Sequence, residues 1–516
     1  MQAKERYDAL SSDRAEYLDV ARQASELTIP YLVHDDDDTT GARNLKTPWQ
    51  SVGAKGVVTL SAKLMLSLLP PQTSFFKLQL DESQLGDYAP EIKSDLDLAF
   101  AKVERTILES IAASDDRVQV HQAMKHLVVA GNALIFMGKM GLKLFPLNRY
   151  VIDRDGNGNI LEIVTKESIS KKIVQDLVPE LMKNDVGYDN KDDTECDVYT
   201  HVKVIGNRVV WHQEVYDYII PKSQSKAPLD INPWLPLRFN VVDGEGYGRG
   251  RVEEFIGDLK SLEALSQALV EGSAAAAKVV FTVSPSASTK PATLAAAGNG
   301  AIVQGRPDDI GVIQVGKTAD FATAQTMMMQ LEKRLAEAFL ILSVRQSERT
   351  TAEEVRMTQM ELEQQLGGLF SLLTVEFLLP YLDRKLSVLQ KNKTIPTIPK
   401  NFVKPTIVAG INALGRGQDR ESLTMFMQTI AQTVGPEAMM QFINPDEVIK
   451  RLAAASGIDV LNLVKSMQEI QGERQQQMQQ QMAMQQQEQA PAMAAVEQKQ
   501  MQAEMQMAQQ QQQPPQ

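Results

Sequence analysis

Only one cysteine, Cys196, stands among the 516 residues. That excludes an intrachain disulfide framework and a cysteine-rich zinc site. Histidine is nearly as scarce, and its five scattered copies argue against a histidine-based metal cluster. No apolar run reaches the ~18 residues a membrane-spanning helix requires. Gly56–Pro70 is broken by Lys63, and Leu127–Met137 is too short. The start, Met1–Arg6, is charged with no apolar core behind it, so no ordinary signal peptide is expected. The chain reads as intracellular and soluble, with no membrane partner.

Chemical signatures are missing too. There is no Gly-x-Ser-x-Gly elbow and no His-Glu-x-x-His metal helix. Gly244-Glu-Gly-Tyr-Gly-Arg-Gly250 precedes a helix, where amides can hold phosphate. It lacks the Gly-Lys-Ser/Thr ending of a phosphate-binding loop and reads instead as a flexible hinge. Asp153-Arg-Asp-Gly-Asn-Gly-Asn159 resembles the start of a calcium loop, but position 12 is Val164 where a bidentate glutamate is needed. A hairpin turn rich in positive-φ residues is the better reading. The run Asp35–Asp38 reads as a solvated acidic loop. His121 and His126, five apart, read as surface or packing residues. The expectation is a protein that is not an enzyme, with no cofactor, metal or catalytic residue.

What is present is an ordinary globular balance, 43% hydrophobic and 23% charged, in 57.2 kDa. That length allows about two to four domains. The net charge is −12, so the surface as a whole does not suit gripping nucleic-acid phosphates.

Periodicity predicts helices over 1–28, 51–69, 90–114 and from Val118 to about Gly131. Tyr150–Asp153 with Asn159–Thr165, and Asp197–Val204 with Arg208–Trp211, read as hairpins, the second turning at Gly206-Asn207. The first ~245 residues therefore read as helices around a small antiparallel sheet. A long helix follows over 250–278, ending in the small residues Ser273–Ala277. Short strands are expected at Val279–Val283, Ala301–Gln304 and Val312–Val315. A helical pattern returns through Met328, Leu331, Leu335, Phe339 and Leu342. The polar Ser343–Thr350 interrupts it, and Thr351-Ala-Glu-Glu354 fits a capping box that opens a helix to about Leu389. Gly367-Gly368 and Pro380 should bend that helix. Ile395–Pro405 reads as an extended connection, and 420–470 as helical. From Gln471 onward, 21 of 46 residues are Gln and 7 are Met, which fits disorder or a helix that packs only between identical copies. A helix pair carrying a β excursion buries its apolar stripes poorly alone, and well in a closed ring.

Several segments, in order, carry a resemblance. They are Thr47-Pro-Trp-Gln-Ser-Val-Gly-Ala-Lys-Gly56 with Ala62-Lys-Leu-Met-Leu66, and His126-Leu-Val-Val-Ala-Gly-Asn132. Asp197-Val-Tyr-Thr-His201 and Gly246-Tyr-Gly-Arg249 follow. Gln304-Gly-Arg-Pro-Asp-Asp-Ile310, Thr351-Ala-Glu-Glu-Val355 and Ala413-Leu-Gly-Arg-Gly-Gln-Asp419 complete the set. With these the chain resembles the portal, or head-to-tail connector, proteins of short-tailed bacteriophages of the Autographivirus type. The match spans roughly residues 10–420, and the Gln/Met-rich tail departs from it.

The resemblance implies a mainly α fold with an α+β wing, a β-containing clip and a helical crown. About twelve copies would form a ring at one capsid vertex. By order, 1–247 would be the wing, 248–278 and 318–343 the stem helices, and 279–317 the clip. Residues 344–350 would be the tunnel loop, 351–405 the long wing helix and its connection, 406–470 the crown and 471–516 the tail. DNA would enter, driven by a separate terminase, and leave through the axial channel.

The implied partners are further copies of the chain, the terminase large subunit, a tail adaptor, the major capsid, scaffolding and internal core proteins, and double-stranded DNA read without sequence preference. The implied location is the virion, and the host cytoplasm during assembly. The implied docking residues are Ser284, Ser286, Lys290, Asn299 and Arg306 in the clip. The implied channel residues are Arg345, Gln346, Ser347, Glu348, Arg349 and Thr350, where Arg345 and Arg349 would steer DNA or simply pair with Glu348. Twelve copies at −12 each carry −144, so an acidic bore would repel the duplex. Two rival readings are a nucleic-acid motor, for which no nucleotide site is found, and a capsid scaffold without a channel.

Overall fold

The structure is a computed structural model. It describes residues 2–34, 45–70, 74–80, 90–139, 141–178, 195–276, 280–286, 288, 290–298, 301–313, 318–341, 367–396, 403–407, 416–433, 448 and 499–505. The chain divides into two compact units, 1–414 and 415–516.

The first unit opens with α1 (Ala3–Glu26), whose buried stripe of Tyr7, Leu10, Leu18 and Ala21 follows the helical period. The carboxylate of Glu5 accepts the free Gln2 N–H at its start. After α2 (Val52–Leu68), β1 (Phe76–Leu80) and α3 (Pro90–Ala112) comes α4 (Asp116–Ala130). Helix α4 stops at Gly131, left-handed at φ 72°, whose N–H closes onto Leu127. The apolar run Leu127–Met137 is thus half helix and half strand, because the chain leaves Gly131 directly into β2 (Asn132–Gly138). β2 pairs with β3 (Gly141–Phe145).

Next come β4 (Tyr150–Arg154), β5 (Ile160–Ser170), α5 (Lys171–Leu177), β6 (Glu195–Ile205), β7 (Arg208–Val215), β8 (Tyr218–Ile219), β9 (Ser225–Pro228) and β10 (Trp234–Arg238). Both expected hairpins form, β4 with β5 and β6 with β7. The turn between β4 and β5 is organised by Asp155. Its carboxylate accepts the N–H groups of Asn157 and Asn159 and the Asn159 side-chain amide, and Gly158 sits at φ 81°. Those bonds hold the Asp155 carboxyl below the usual carboxylate range.

Where one small sheet was expected, the described residues of this region contribute to three antiparallel sheets. One runs β4-β5-β6-β7-β8, with β9 also on β7, and a second is β10-β2-β3. The third joins β1 to β13 (Val403–Ile407), over 320 residues downstream. Part of the segment expected to be a mere connection is therefore a strand. Its end, Thr406 and Ile407, falls where the resemblance begins the crown.

A main apolar core joins α1–α4, strands of three sheets and the later helices, while two smaller clusters form separately, one of α5 with β6 and β7 and one of the start of α1 with Val151, Val164 and Tyr199. Trp234 anchors part of the main core against Phe136, Phe145 and Trp211. Beyond β10, the helix expected to run unbroken from 250 is two pieces, α6 (Arg251–Glu254) and α7 (Ile256–Ala276). Packing decides the break. Val252 is fully buried and docks α6 against α4, while the Phe255 ring faces Phe339 and lies under the Arg251 guanidinium.

Then follow β11 (Val280–Val283), α8 (Pro291–Ala296), β12 (Ile310–Ile313) and α9 (Thr318–Ala338). Helical backbone at 367–373 leads into a π-turn, Thr374–Leu378, and then α10 (Leu379–Lys391). The irregularity sits directly before Pro380, which has no N–H to give the ladder. The capping box and the helix start at 351 lie outside the described residues.

In the second unit, α11 (Arg416–Thr433) is helical with Met425 and Phe426 exposed, and a further helical stretch covers 499–505. The rest of the expected crown and tail lies outside the described residues.

Candidate functional site

α7 and α9 pack as a pair, and burial falls along it. At one end Leu259, Leu262, Leu331, Leu335 and Phe339 are buried in the main core. Farther out, Gly272 lets the Phe321 ring lie on the backbone of α7: an added Cβ would sit 2.7 Å from that ring. Beside them Val270, Met327 and Met329 are each about half exposed (52%, 52% and 53%), and Ser273, Ala274 and Ala275 in the small-residue tract are exposed too. α7 and α9 together carry six acids against three bases.

The excursion between these helices has a frame but no interior. β11 and β12 pair over Val280–Val283 and Ile310–Ile313. No residue whose burial is described between 282 and 311 is buried, and Ile302 is fully exposed. Order comes from polar bonds instead. The Asp309 carboxylate accepts the N–H and the hydroxyl of Ser288 and, at 3.4 Å, the N–H of Arg306. The Asp309 carbonyl takes the Ser284 N–H. Thr282 Oγ1 donates to the Gly311 carbonyl.

Ser284, Ser286, Lys290 and Arg306 all lie exposed on this excursion, with Ser284 and Ser286 hydroxyls 3.2 Å apart and Lys290 at the start of α8. Asn299 lies outside the described residues. The expected strand at Ala301–Gln304 is not one. No strand among the described residues pairs with it, and Ala301 N–H turns back to Gly298. Sequence reasoning misses Asp309, inside the Gln304–Ile310 motif, as an organiser; only the Arg306 N–H is a local partner, and the donors from Ser284 and Ser288 arrive from more than 20 residues away.

Arg345, Gln346, Ser347, Glu348, Arg349 and Thr350 lie outside the described residues. What the structure describes is how the chain is gripped on both sides of them. α9 ends in a turn in which Ile341 N–H bonds Ala336 and Leu340 N–H bonds Glu337. Leu340 there adopts φ 55°, which a β-carbon disfavours. Two cations meet the exposed carbonyls of this helix end. Lys63 Nζ donates to the Leu340 carbonyl at 2.6 Å, and Arg251 donates to the Ala338 carbonyl. Burial holds the Lys63 ammonium below its ordinary pKa. Gly56 admits the Phe339 ring, since a Cβ there would stand 2.6 Å from it. Gly56 and Lys63 both belong to the motifs quoted above, and their sequence pattern alone does not disclose this role.

On the far side, Glu376 in the π-turn accepts Arg238 Nε, Nη2 and backbone N–H, at 2.9, 2.6 and 2.9 Å. Both side chains are nearly buried. Arg154 lies close by, and burial, then the Arg238 charge, lower its pKa. In α10, Tyr381 Oη donates to fully buried Asp116, which also pairs with Lys385 at 2.7 Å. Burial and that carboxylate push the Tyr381 phenol well up.

In the glycine-rich segment at 244–250, Gly248 and Gly250 are close backbone approaches, while Gly244 and Gly246 stand in open space. A Cβ on Gly131 would lie 2.5 Å from the Arg249 carbonyl carbon, and one on Gly248 2.7 Å from the Gly131 carbonyl. Asn132 locks the contact by donating to the Gly248 carbonyl and accepting its N–H, both at 2.7 Å. Two motifs 116 residues apart thus form one rigid backbone junction at the root of the paired helices.

Histidine is scattered in sequence but not in space. His201 and His212 face each other across β6 and β7 beside Glu214. His126 is buried, as a packing residue should be, and burial pushes its imidazole down to about 4.

A family model described as bacteriophage head to tail connecting protein matches residues 1–464. The chain belongs to that family. It is 38% identical to the portal protein of Enterobacteria phage T3 over 487 residues, which cover 92% of this chain and 90% of that one. Identity to the portal protein of Escherichia phage T7 is 36% over 488 residues, with the same two coverages. The portal protein of Enterobacteria phage SP6 is 30% identical over 482 residues, covering 91% of each chain. The resemblance read from the ordered motifs is therefore met at the level of the family. No described helix is long and apolar enough to cross a membrane.

Proposed function

We propose that this chain is the subunit of a portal ring, about twelve copies closing around a channel through which double-stranded DNA is packaged and later released. The observation that carries the reading is the excursion on α7 and α9. A two-stranded hairpin in which none of the residues of described burial, 282, 283, 310 and 311, is buried is marginal on its own. Its exposed apolar groups gain cover when neighbouring copies stand side by side, in a closed heterologous contact.

The excursion then serves as the clip. Ser284, Ser286, Lys290, Asn299 and Arg306 present docking groups first to a terminase large subunit and then to a tail adaptor. The paired helices are the stem, and their acidic excess suits a bore past which DNA slides. Arg345 and Arg349, with Gln346, Ser347, Glu348 and Thr350, form the loop facing that bore. The grips at Phe339 and at Glu376 hold its two ends against the wing. The protein acts as a structural conduit, without catalysis or cofactor, at the portal vertex of the virion and in the host cytoplasm during assembly. Capsid, scaffolding and internal core proteins contact its outer face.

Electron microscopy of the purified full chain tests this directly. End-on rings with a hole wide enough for duplex DNA are the expected result. A compact single molecule at high concentration, or nucleotide hydrolysis by the chain alone, overturns it. Assemblies without a hole support the scaffold reading instead. Two variants test the parts. Arg306→Glu should weaken terminase binding in intact rings. Arg349→Ala should change the packaged length or the retention of DNA without affecting assembly, and unchanged packaging removes the loop from the mechanism.

A further inference from the structure

The side chains of His201, His212 and Glu214 meet on the face of the wing sheet that α1 covers. The two-residue turn at Gly206-Asn207 puts His201 directly opposite His212, and the two-residue repeat of a strand puts Glu214 on the same face. One ligand atom from each of the three lies within 4.8 Å of the others. His212 Nε2 is 2.6 Å from Glu214 Oε1. His201 Nε2 contacts Glu162, a fourth potential ligand from β5. His201 is 2% exposed and Glu214 8%.

The surroundings are those of a held site. Glu214 uses its second oxygen to accept the Ala3 N–H at 2.6 Å, so one carboxylate faces both the histidines and the first turn of α1. Glu162 is oriented by Arg6 at 2.7 Å, with Lys203 at 3.6 Å, and Arg6 also pairs with Asp153. Three carboxylates face two cations, which leaves one surplus negative charge beside two imidazoles.

We propose that His201, His212 and Glu214, with Glu162 as fourth ligand, bind a divalent transition cation, zinc being the best fit, and that the ion staples the first turn of α1 to the wing sheet. Two imidazoles and carboxylates are a normal zinc donor set, and four protein ligands make a closed structural site. Tetrahedral bonds of ~2.0–2.1 Å place ligand atoms about 3.3 Å apart, so the three grouped ligand atoms must draw together from within 4.8 Å, and Glu162 must follow His201 to join them. Each histidine would coordinate through Nε2 and keep its proton on Nδ1. The ion replaces the hydrogen bonds that Nε2 now makes to Glu162 and Glu214. This site is independent of ring closure, since every ligand comes from one chain.

The test uses the full purified chain, stripped of metal and then loaded with zinc or, as a spectroscopic probe, cobalt(II). The expected result is one bound ion per chain, intense visible cobalt bands of a four-coordinate site, and slower amide exchange in residues 3–7 on loading. His212→Gln keeps a hydrogen-bonding group beside Glu214 but removes a ligand, and should weaken zinc binding at least tenfold. His121→Ala, outside the cluster, should bind as the parent does. Uptake no greater in the parent than in His212→Gln, or zinc surrounded only by oxygen in X-ray absorption, overturns the site. Stoichiometric histidine-bound zinc with unchanged exchange in residues 3–7 overturns the staple.

Discussion

The core region of the first unit and the excursion between α7 and α9 are built on opposite principles. In the core region, most helices and sheets share one main apolar cluster, and even charged groups such as Asp116, Arg238 and Glu376 are largely buried with partners. In the excursion, a hairpin and one short helix are tied by the Asp309 carboxylate and bury nothing whose exposure is described. α7 and α9 pass from one regime to the other along their own length. Apolar burial is the main favourable contribution to folding, so the core region carries its own stability and the excursion, as described, has little apolar burial to draw on.

Four measurements would break or sharpen that contrast. The largest effect is expected at the ion pair. Glu376→Ala leaves Arg238 buried without its carboxylate and should cost about 3–5 kcal/mol in denaturant unfolding. A loss under about 1 kcal/mol, the range of exposed pairs, would mean that water reaches the pair. Next, Leu335→Ala and Val270→Ala compare the two ends of the paired helices. The first removes a fully buried side chain and should cost about 2–5 kcal/mol in dissociated subunits. The second should stay within about 0.5 kcal/mol there, yet weaken assembly. Equal losses in dissociated subunits would erase the gradient.

The third concerns acid. His126 is neutral in the fold, with an imidazole pushed down to about 4 against an ordinary 6.5. The unfolded chain therefore binds the extra proton first. The contribution is fully present above pH 6.5 and is lost as pH falls toward 4, amounting to roughly 3 kcal/mol. His126→Leu should flatten the stability profile across that window, and an unchanged slope would mean that the imidazole is hydrated in the fold. The smallest effect is at the end of α10. Lys393 sits exposed at φ 57° in a turn closed by Thr394 N–H on Leu389. Lys393→Gly should raise stability by up to about 1 kcal/mol in thermal melts, because glycine adopts that conformation freely.

Local features are legible in the residues themselves. The helix at α1, the turn at Asp155–Asn159 and the pairing about Gly206-Asn207 each depend on residues close together in sequence. The same hairpin register sets His201 opposite His212, a signal that the strand spacing already carries. What escapes is contact at long range. Nothing in Phe76–Leu80 names Val403–Ile407 as its partner strand. Nothing in Gly244–Gly250 says that Gly248 and Gly250 meet Gly131 while Gly244 and Gly246 meet nothing. Nor does the helical period at 250–276 disclose that burial of Val252 and the Phe255–Phe339 contact would break it.

By itself, the sequence determined the period of each helix, the turns that close its hairpins, the acidic balance of the chain and, through the order of its motifs, its family. Only the tertiary structure decided which glycines are close approaches, which ions are sealed and which histidines meet. Helical period and turn chemistry are set by neighbours along the chain. Close packing and desolvation are set by whatever the rest of the chain brings to the same place.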